Sequence, residues 1–572
     1  MSLARRGILA LVAGCLARGA AAQGSPADTV GRGSLPCNGQ RIVAVVINPG
    51  RPPFSGNAQR WRALARSFGL HHATTNASVL EPFLLLQPGD ACNEQRRSDS
   101  ERMLRDLPFI ARASILVLPD SDGVELEVNT IDEIPALGSV AFRGLGPRAL
   151  SLGSDNVGGE GVRLLAGAER GYAYRTGLRA TFADYAAFGM PLTTEIDAAR
   201  DPIGSHIEAD ATHPFLTNFQ RGAWNAIYRM EDVYPRFRRS TGDDLGLEIK
   251  QQRWSAGAVS RANVGSTVFL LGAEVIGLHA DPAAAPVVIT DSGFVGTTDS
   301  TLVGRYAPVH SVRAGALIGV RHVSYAPVDG LDALFARQDV MTGVQSGTLV
   351  APGRTGSDDD LLISNSSYLG AVFGRSVMMA DAESEARRTL THGGPISVIG
   401  SGRAAWYYRV GFGQLFMLDD EFSGGARTQL PIQLTLTERQ ADIRGFTGSD
   451  MAGAVRNVAR AEYRWARPAA IHGADAGLAL FTDVATLAAG SAPFGTNATV
   501  QSVGISVLGA YPTRSKRLYR VDIAYPLRGD VHRLEVRFTA GNRTGAFWRE
   551  PYDVKRARLG PVPSSLFSWP VR

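Results

Sequence analysis

Residues 517–527, RLYRVDIAYPL, alternate strictly between two kinds of side chain, and this alternation decides the fold of the chain. Successive side chains of a β-strand point to opposite faces, so the stretch predicts a strand with one charged face, carrying Arg520 and Asp522. The apolar face carries Tyr519, Val521, Ile523 and Tyr525. The stretches HRLEVRF (532–538) and ARAEYRW (459–465) repeat the pattern.

Alternating segments separated by turns rich in Gly, Asp, Pro and Ser continue through residues 145–541. A β-sandwich and a β-propeller also alternate. Three features favour an outer-membrane β-barrel instead: an export signal, aromatic residues at strand ends, and the absence of a propeller-like repeat. A span needs only about 9–11 residues, and about 24 residues for each strand with its connection predict about 16 antiparallel strands. We therefore predict a mainly β fold dominated by a transmembrane barrel.

The first 22 residues have the pattern of an export signal, which is removed from the mature chain. A pair of arginines precedes an apolar segment, and three alanines at 20–22 form a site for signal peptidase. An alternative is a lipoprotein, because the VAGC sequence at 12–15 would place the lipid on Cys15. In both cases the mature chain leaves the cytoplasm, and residues 23–40 form a linker.

Cys37 and Cys92 are an even pair in an exported chain, so a disulfide is the default expectation, with two unpaired buried thiols as the alternative. No His or Cys stands at ligand spacing beside either cysteine, so we expect no metal site and no cofactor. The chain has no H-E-x-x-H, no G-x-S-x-G and no phosphate-binding loop, so we expect no enzymatic activity. The acidic SDDD at 357–360 is read as a solvated loop in preference to a Ca²⁺ site.

Arginine supplies nearly all the positive charge behind the formal net charge of +5, since Lys250, Lys516 and Lys555 are the only lysines. The arginines are interspersed with Asp and Glu and form no basic stripe, so no nucleic-acid partner is expected. The 64 glycines oppose a mainly helical fold. No window reaches the roughly 18–20 consecutive apolar residues of a membrane-spanning helix.

Residues 41–135 predict a separate small α+β domain with the order β-α-α-β-β. The turn at 120–123 joins its last two strands as a hairpin, and Ser98 and Ser100 mark the start of a helix. The predicted elements are strands at 41–47, 113–119 and 124–130 and helical segments at 58–70, 76–86 and 98–107.

The loop ADIRGFTGSD (441–450) connects two predicted strands and contains the tetrad Ile443, Arg444, Gly445 and Phe446. This tetrad, Glu462 on the next strand, and Phe481 with Asp483 one strand later resemble the marks of the BamA-like outer-membrane assembly superfamily (bacterial surface antigen type). The small domain resembles that family's POTRA domain, and the resemblance covers nearly the whole mature chain. It implies that the loop folds back into the barrel.

The residues themselves indicate how such a loop would be held. Glu462 lies on the charged, lumen-facing side of its strand, and Phe481 and Asp483 share a face because they are two residues apart. The planar fork of Arg444 suits two carboxylates, and Gly445 permits a tight turn beside the wall. Losing one partner of such a buried pair costs about 3–5 kcal/mol, enough to release the loop. The plainer alternative is that these are routine polar residues of a barrel.

The resemblance implies a barrel that inserts or secretes other polypeptides. Its POTRA domain would lie in the periplasm and receive a client strand at a sheet edge within 113–130. The barrel would open at a seam between a first strand in 149–170 and a last strand near 532–540. The implied partners are an unfolded or secreted client polypeptide, outer-membrane lipid, and periplasmic chaperones or accessory lipoproteins.

Two features depart from the family pattern: room for only one POTRA unit, and a C-terminal extension at 542–572 beyond the last strand. The extension would plug the periplasmic mouth, lie on the barrel, or be loosely ordered. Two alternative functions stay open, a passive outer-membrane pore and a secretion pore dedicated to one partner protein.

Overall fold

The computed structural model describes twelve stretches of the chain, and several predictions lie outside them: the export signal, Cys15 and the helix at 58–70. The described residues are 34–51, 74–134, 136–143, 146–169, 177–240, 242–264, 267–290, 293–391, 393–437, 443–471, 473–542 and 547–567.

The N-terminal domain is a four-stranded sheet with one long helix packed on it. Its strands stand in the order β2-β1-β4-β3, with β1 and β4 parallel and the other pairs antiparallel. The predicted hairpin at 120–123 joins β3 to β4, and the short strand β2 is an addition to the predicted order. The elements are β1 (Asn38–Gly50), α1 (Ala77–Leu80), a 3-10 turn (Glu81–Phe83), β2 (Ala91–Asn93), α2 (Glu94–Asp106), β3 (Ile110–Asp120) and β4 (Gly123–Asp132).

Helix α2 begins earlier than the serine pattern predicts. Its N-cap is Asn93, whose side-chain oxygen accepts a hydrogen bond from the Arg96 N–H at 3.0 Å, so Ser98 and Ser100 lie inside the helix. Cys37 and Cys92 form a buried disulfide that joins the chain entering β1 to strand β2. In the stretches that the structure describes, no helix has both the length and the apolar composition needed to cross a membrane.

Within the described residues, twenty strands form one closed antiparallel barrel, which corrects the prediction of about 16. The assumed length of 24 residues for each strand with its connection is too long, because several hairpins turn through only two residues and the strands before Val233 are short. The first strand also begins at Ala136 rather than at residue 145. The barrel strands are β5 (Ala136–Arg143), β6 (Gly146–Ser154), β7 (Val162–Glu169), β8 (Gly177–Asp184), β9 (Thr193–Asp201), β10 (Gly204–His213), β11 (Gly222–Val233), β14 (Ile249–Val264), β15 (Thr267–Pro282), β18 (Val309–Asp329), β19 (Arg337–Thr355), β20 (Asp358–Phe373), β21 (Ser376–Thr389), β22 (Ser397–Gly411), β23 (Gln414–Ala426), β26 (Val455–Ile471), β27 (Ala474–Ala488), β28 (Ala498–Ala510), β29 (Arg517–Arg528) and β30 (Glu535–Asn542).

Strands β5 and β30 are neighbours in the closed barrel, so the first strand lies before the predicted range 149–170, while the last strand agrees with the position predicted near 532–540. Two small sheets that are separate from the barrel sheet lie toward the end of the barrel away from the N-terminal domain. They contain β12 (Arg236–Phe237), β13 (Leu245–Gly246), β16 (Val287–Thr290) and β17 (Gly293–Gly296), and the pair β24 (Leu434–Thr435) and β25 (Ala452–Gly453).

The two faces of the barrel wall are reversed relative to a soluble protein. Apolar side chains point outward, with Leu478 58% and Val536 53% exposed, while Glu462, Arg520 and Asp522 are buried on the inside. The alternation predicted for 517–527 is thus confirmed, with its charged face toward the lumen. An outward apolar surface and a polar interior are typical of a transmembrane barrel.

Two segments that are not wall strands fill the lumen. The inward loop (residues 427–437 and 443–454) lies between β23 and β26, and the tail (residues 547–567) follows β30. The tail contains α3 (Tyr552–Ala557) and α4 (Ser564–Phe567). Its contacts with inward-facing residues of the wall place it inside the barrel, a position different from the three alternatives given for residues 542–572. Residues 543–546 and 568–572 of the extension lie outside the described residues.

Candidate functional site: the filled lumen

Two apolar side chains anchor the inward loop against the wall. Ile443 and Phe446 are 1% and 0% exposed, and they pack with Val458, Leu487 and Val500 of the neighbouring strands. Because hydrophobic burial is worth roughly 25 cal/mol per Å² of apolar area, these two residues hold the loop in place on either side of Arg444.

Arg444 lies between two carboxylates of the wall. Its Nε and Nη2 atoms donate to the two oxygens of Asp483 at 2.7 and 2.5 Å, and its Nη1 donates to Glu462 at 2.9 Å. The guanidinium carbon stands 3.5 Å from the ring centroid of Phe481. Burial lowers the pKa of Arg444, but the carboxylates of Asp483, Glu462 and Asp522 together outweigh this effect, so the pKa is raised above its ordinary value. The arrangement is the bidentate geometry that only arginine provides.

The lock extends beyond the residues named by the motif. Glu462 also accepts hydrogen bonds from Arg464 at 2.5 Å and from Arg520 at 2.6 Å, and Arg520 donates to Asp522 at 2.6 Å. With Arg444 and Asp483, three arginines face three carboxylates. The alternation of 517–527 places Arg520 and Asp522 on the lumen side, but nothing in the local sequence connects them to a loop about 75 residues earlier.

Gly445 is required by both conformation and space. Its φ is +93°, a region that side-chain-bearing residues rarely adopt. A Cβ atom there would lie 3.3 Å from the Cβ of Ser502 and 3.5 Å from that of Ala524. The turn therefore brings the backbone directly against β28 and β29.

Arg460, on the same strand as Glu462, also pairs with carboxylates of the wall. It donates to Asp419 at 2.7 Å and to Glu421 at 3.1 Å. Its substitution would therefore disturb the wall, so Arg460 is not a neutral control for Arg444.

Several hydrogen bonds join the wall to the backbone of the tail. Glu385 accepts hydrogen bonds from the N–H groups of Leu559 and Gly560, both at 2.9 Å. Three wall side chains donate to carbonyl oxygens of the tail: Arg403 to Phe547 at 2.6 Å, Arg253 to Arg558 at 2.5 Å, and Ser364 to Pro561 at 3.2 Å. Contacts of this kind depend on the presence of a peptide chain and only weakly on its sequence.

Side-chain contacts of the tail are spread along its length. Leu559 and Leu566, 2% and 0% exposed, enter an apolar cluster of the wall that includes Ile276 and Leu362. Ion pairs and polar contacts add to this apolar burial. They join Asp553 to Arg456, Lys555 to Glu208, Tyr552 to Arg229, Ser564 to Glu383, and Ser565 to Asn225.

Arg456 connects the two segments that fill the lumen. Its Nη1 atom donates to the Thr435 carbonyl of the inward loop at 2.7 Å and to Asp553 of the tail at 2.8 Å. Val554 of the tail packs with Leu434 of the loop in one apolar cluster. The loop and the tail are therefore in contact with each other as well as with the wall.

The N-terminal domain covers one end of the barrel, called here the domain end. Arg105 of α2 makes two hydrogen bonds of 2.8 Å to Asp339. Arg102 donates to the Leu216 carbonyl at 2.5 Å and lies over the Tyr325 ring at 3.9 Å. These buried arginines fix the domain on the barrel.

The outer edge of β3, expected to receive a client strand, is occupied by the chain itself. Glu101 accepts from the Ile115 N–H at 3.2 Å, and Arg97 donates to the Ile115 carbonyl at 2.8 Å. The Leu35 N–H donates to the Val117 carbonyl at 2.9 Å. Since β4 is an inner strand, a client that adds to 113–130 would first have to displace these bonds.

Three solved structures were compared with the chain. BamA from Haemophilus ducreyi lacking POTRA domains 1–3 has 13% identity, covers 88% of this chain and 85% of its own, and gives a TM-score of 0.38. CdiB from Escherichia coli has 10% identity, coverages of 87% and 76%, and a TM-score of 0.44. CdiB from Acinetobacter baumannii has 9% identity, coverages of 88% and 74%, and a TM-score of 0.42.

No family model and no curated protein matches the chain. In overall architecture, the chain is similar to the BamA-like outer-membrane β-barrels.

Proposed function

We propose that this chain is a non-enzymatic outer-membrane barrel that assembles or translocates client polypeptides, with its N-terminal domain in the periplasm. The observation that carries the proposal is the way the lumen wall binds the tail. Glu385, Ser364, Arg253 and Arg403 bond to peptide N–H and C=O groups of residues between Phe547 and Pro561. Every polypeptide has N–H and C=O groups of this kind, so a wall that hydrogen-bonds to them can bind polypeptides of varied sequence.

In the resting barrel, the tail then occupies the part of the lumen through which a client polypeptide would pass. A client would compete for the same backbone contacts, while the Arg444 lock keeps the inward loop against β27 and β28. The N-terminal domain, fixed by Arg102 and Arg105 at the domain end, is the first surface that a periplasmic client meets. Exposed apolar side chains such as Leu478 contact the outer-membrane lipid.

A passive pore is the second candidate function. It is disfavoured by the tail, because Leu566 and the ion pair of Asp553 with Arg456 place protein atoms where a pore needs water. A secretion pore for a single partner would use the same lumen contacts as an assembly factor. The two differ in whether the client is secreted or inserted into the outer membrane.

The decisive experiment places a photo-crosslinking residue at Ser364 of the full-length chain in living cells. Ser364 is buried and faces the lumen, so we expect crosslinks to the chain's own tail and, in addition, to other polypeptides. Leu369 on the same strand is the matched control, since it points outward and is 56% exposed. A pattern containing only the tail at position 364, or the same partners at both positions, would rule out the proposal.

Depletion of the chain separates assembly from secretion. An assembly factor predicts a fall in several outer-membrane proteins, measured by quantitative proteomics of the membrane fraction. A dedicated secretion pore predicts unchanged outer-membrane proteins and retention of one polypeptide in the periplasm.

A further inference from the structure

Two histidines meet on the outer surface of the barrel, at the end away from the N-terminal domain. His279 on β15 lies directly opposite His310 on β18 in the strand pairing. Their rings stack with centroids 3.9 Å apart and planes inclined by 12°. Strand pairing fixes the backbone at both positions. The His310 carbonyl also accepts a hydrogen bond from the Gly356 N–H at 2.9 Å.

Asp281 completes the group, because it stands two residues after His279 and shares its face. Its two carboxylate oxygens lie 2.7 Å from Nε2 of His279 and 2.7 Å from Nε2 of His310. One potential ligand atom from each of the three residues lies within 4.8 Å of the others. All three side chains are about half exposed, so an ion from solution reaches them directly.

We propose that His279, Asp281 and His310 form a binding site for a divalent transition-metal ion of the Zn²⁺ type. Zinc bonds to imidazole nitrogen and carboxylate oxygen at about 2.0–2.2 Å, so small side-chain rotations open the present contacts enough to admit the ion. Two imidazoles favour Zn²⁺, Ni²⁺ or Cu²⁺ over Mg²⁺ and Ca²⁺, which prefer oxygen ligands. Three protein ligands leave a fourth position for water or an anion.

The neighbouring charge does not oppose a cation. Lys250 of β14 lies opposite Asp281 in the strand pairing. Its ammonium group is 3.6 Å from the Glu248 carboxylate, which compensates its positive charge. The next residue on the same face of β14, Gln252, is neutral and lies opposite His279. The site is on the outer surface, so it is independent of the lumen and of the proposed function.

The test uses the full-length chain in detergent micelles after chelator treatment, titrated with ZnCl₂ by calorimetry. We expect one Zn²⁺ per chain, and a loss of affinity of roughly tenfold or more in His310→Ala and in Asp281→Asn. His322→Ala is the matched control, because His322 is also exposed on the outer face of β18 and contacts Thr267 instead of a carboxylate. Its affinity is expected to equal that of the unchanged chain.

Co²⁺ provides a second readout, since ligation by nitrogen and oxygen gives visible absorption that His310→Ala should abolish. Heat-modifiable migration checks that each variant retains its barrel. Absence of saturable Zn²⁺ binding, equal binding in all variants, loss of binding in His322→Ala, or one ion shared by two chains would each overturn the proposal.

Discussion

The inward loop and the tail both fill the lumen, but the wall holds them by different means. In the loop the ion pairs converge on one side chain, Arg444, whose charge is neutralised by Glu462 and Asp483 between two apolar anchors. The tail depends on many dispersed contacts, several of them to its backbone. The difference indicates a specific latch beside a more tolerant peptide-binding surface. The latch should fail at a single substitution, whereas the tail should weaken in steps.

Arg444→Ala should have the largest effect, because it leaves Glu462 and Asp483 buried without their shared partner. We expect a loss of about 3–5 kcal/mol in the free energy of unfolding, measured by urea titration in micelles. Arg444→Lys should recover little of it, since an ammonium group lacks the bidentate fork.

Arg354→Ala is the matched control for this latch. Arg354 pairs with Asp359 at the barrel rim, with side chains 72% and 68% exposed, so its loss should cost no more than about 1 kcal/mol. Equal losses in Arg444→Ala and Arg354→Ala would show that the latch has no special role.

Leu566→Ala should weaken the tail far more than the latch. Truncating a fully buried leucine costs about 2–5 kcal/mol, and here the loss should appear as faster proteolysis of the tail. Leu369→Ala, on the lipid-facing side, is the control and should leave tail proteolysis unchanged. If the inward loop becomes protease-sensitive to the same degree as the tail, the two segments are one unit and the comparison fails.

Glu385→Gln should give a smaller and more local effect. The amide retains one oxygen acceptor but loses the charge that strengthens the bonds to the Leu559 and Gly560 N–H groups, at a cost of about 1.5–3 kcal/mol. Hydrogen exchange of these two amides, followed by mass spectrometry, should accelerate while exchange at Arg444 does not. Unchanged exchange at both amides would show that the backbone contacts contribute little.

Arg456 provides the finest test, because it bonds to both segments. In a double-mutant cycle, Arg444→Ala and Leu566→Ala should show a coupling of about 0.5 kcal/mol or more in the free energy of unfolding. The same cycle in an Arg456→Met background should give a coupling near zero. A coupling unaffected by Arg456→Met would mean that the loop and the tail communicate through the wall.

The sequence by itself determined the local features of this protein. A period of two residues specifies a strand and its two faces, so the charged side of 517–527 follows from the sequence without reference to strand pairing. The turn at 120–123 and the positions of Ile443 to Phe446 between two strands are equally local. They depend only on residues close to each other in the chain.

Only the tertiary structure decided what the pairing of distant strands brings together. It set twenty strands instead of 16, placed the tail in the lumen, covered the β3 edge with Arg97 and Glu101, and joined His279 to His310. Periodicity carries no information about strand register or barrel closure, since those depend on contacts between residues tens to hundreds of positions apart. The alternation of side chains thus specifies the strands of the barrel wall, and the pairing of those strands determines which residues meet in the lumen.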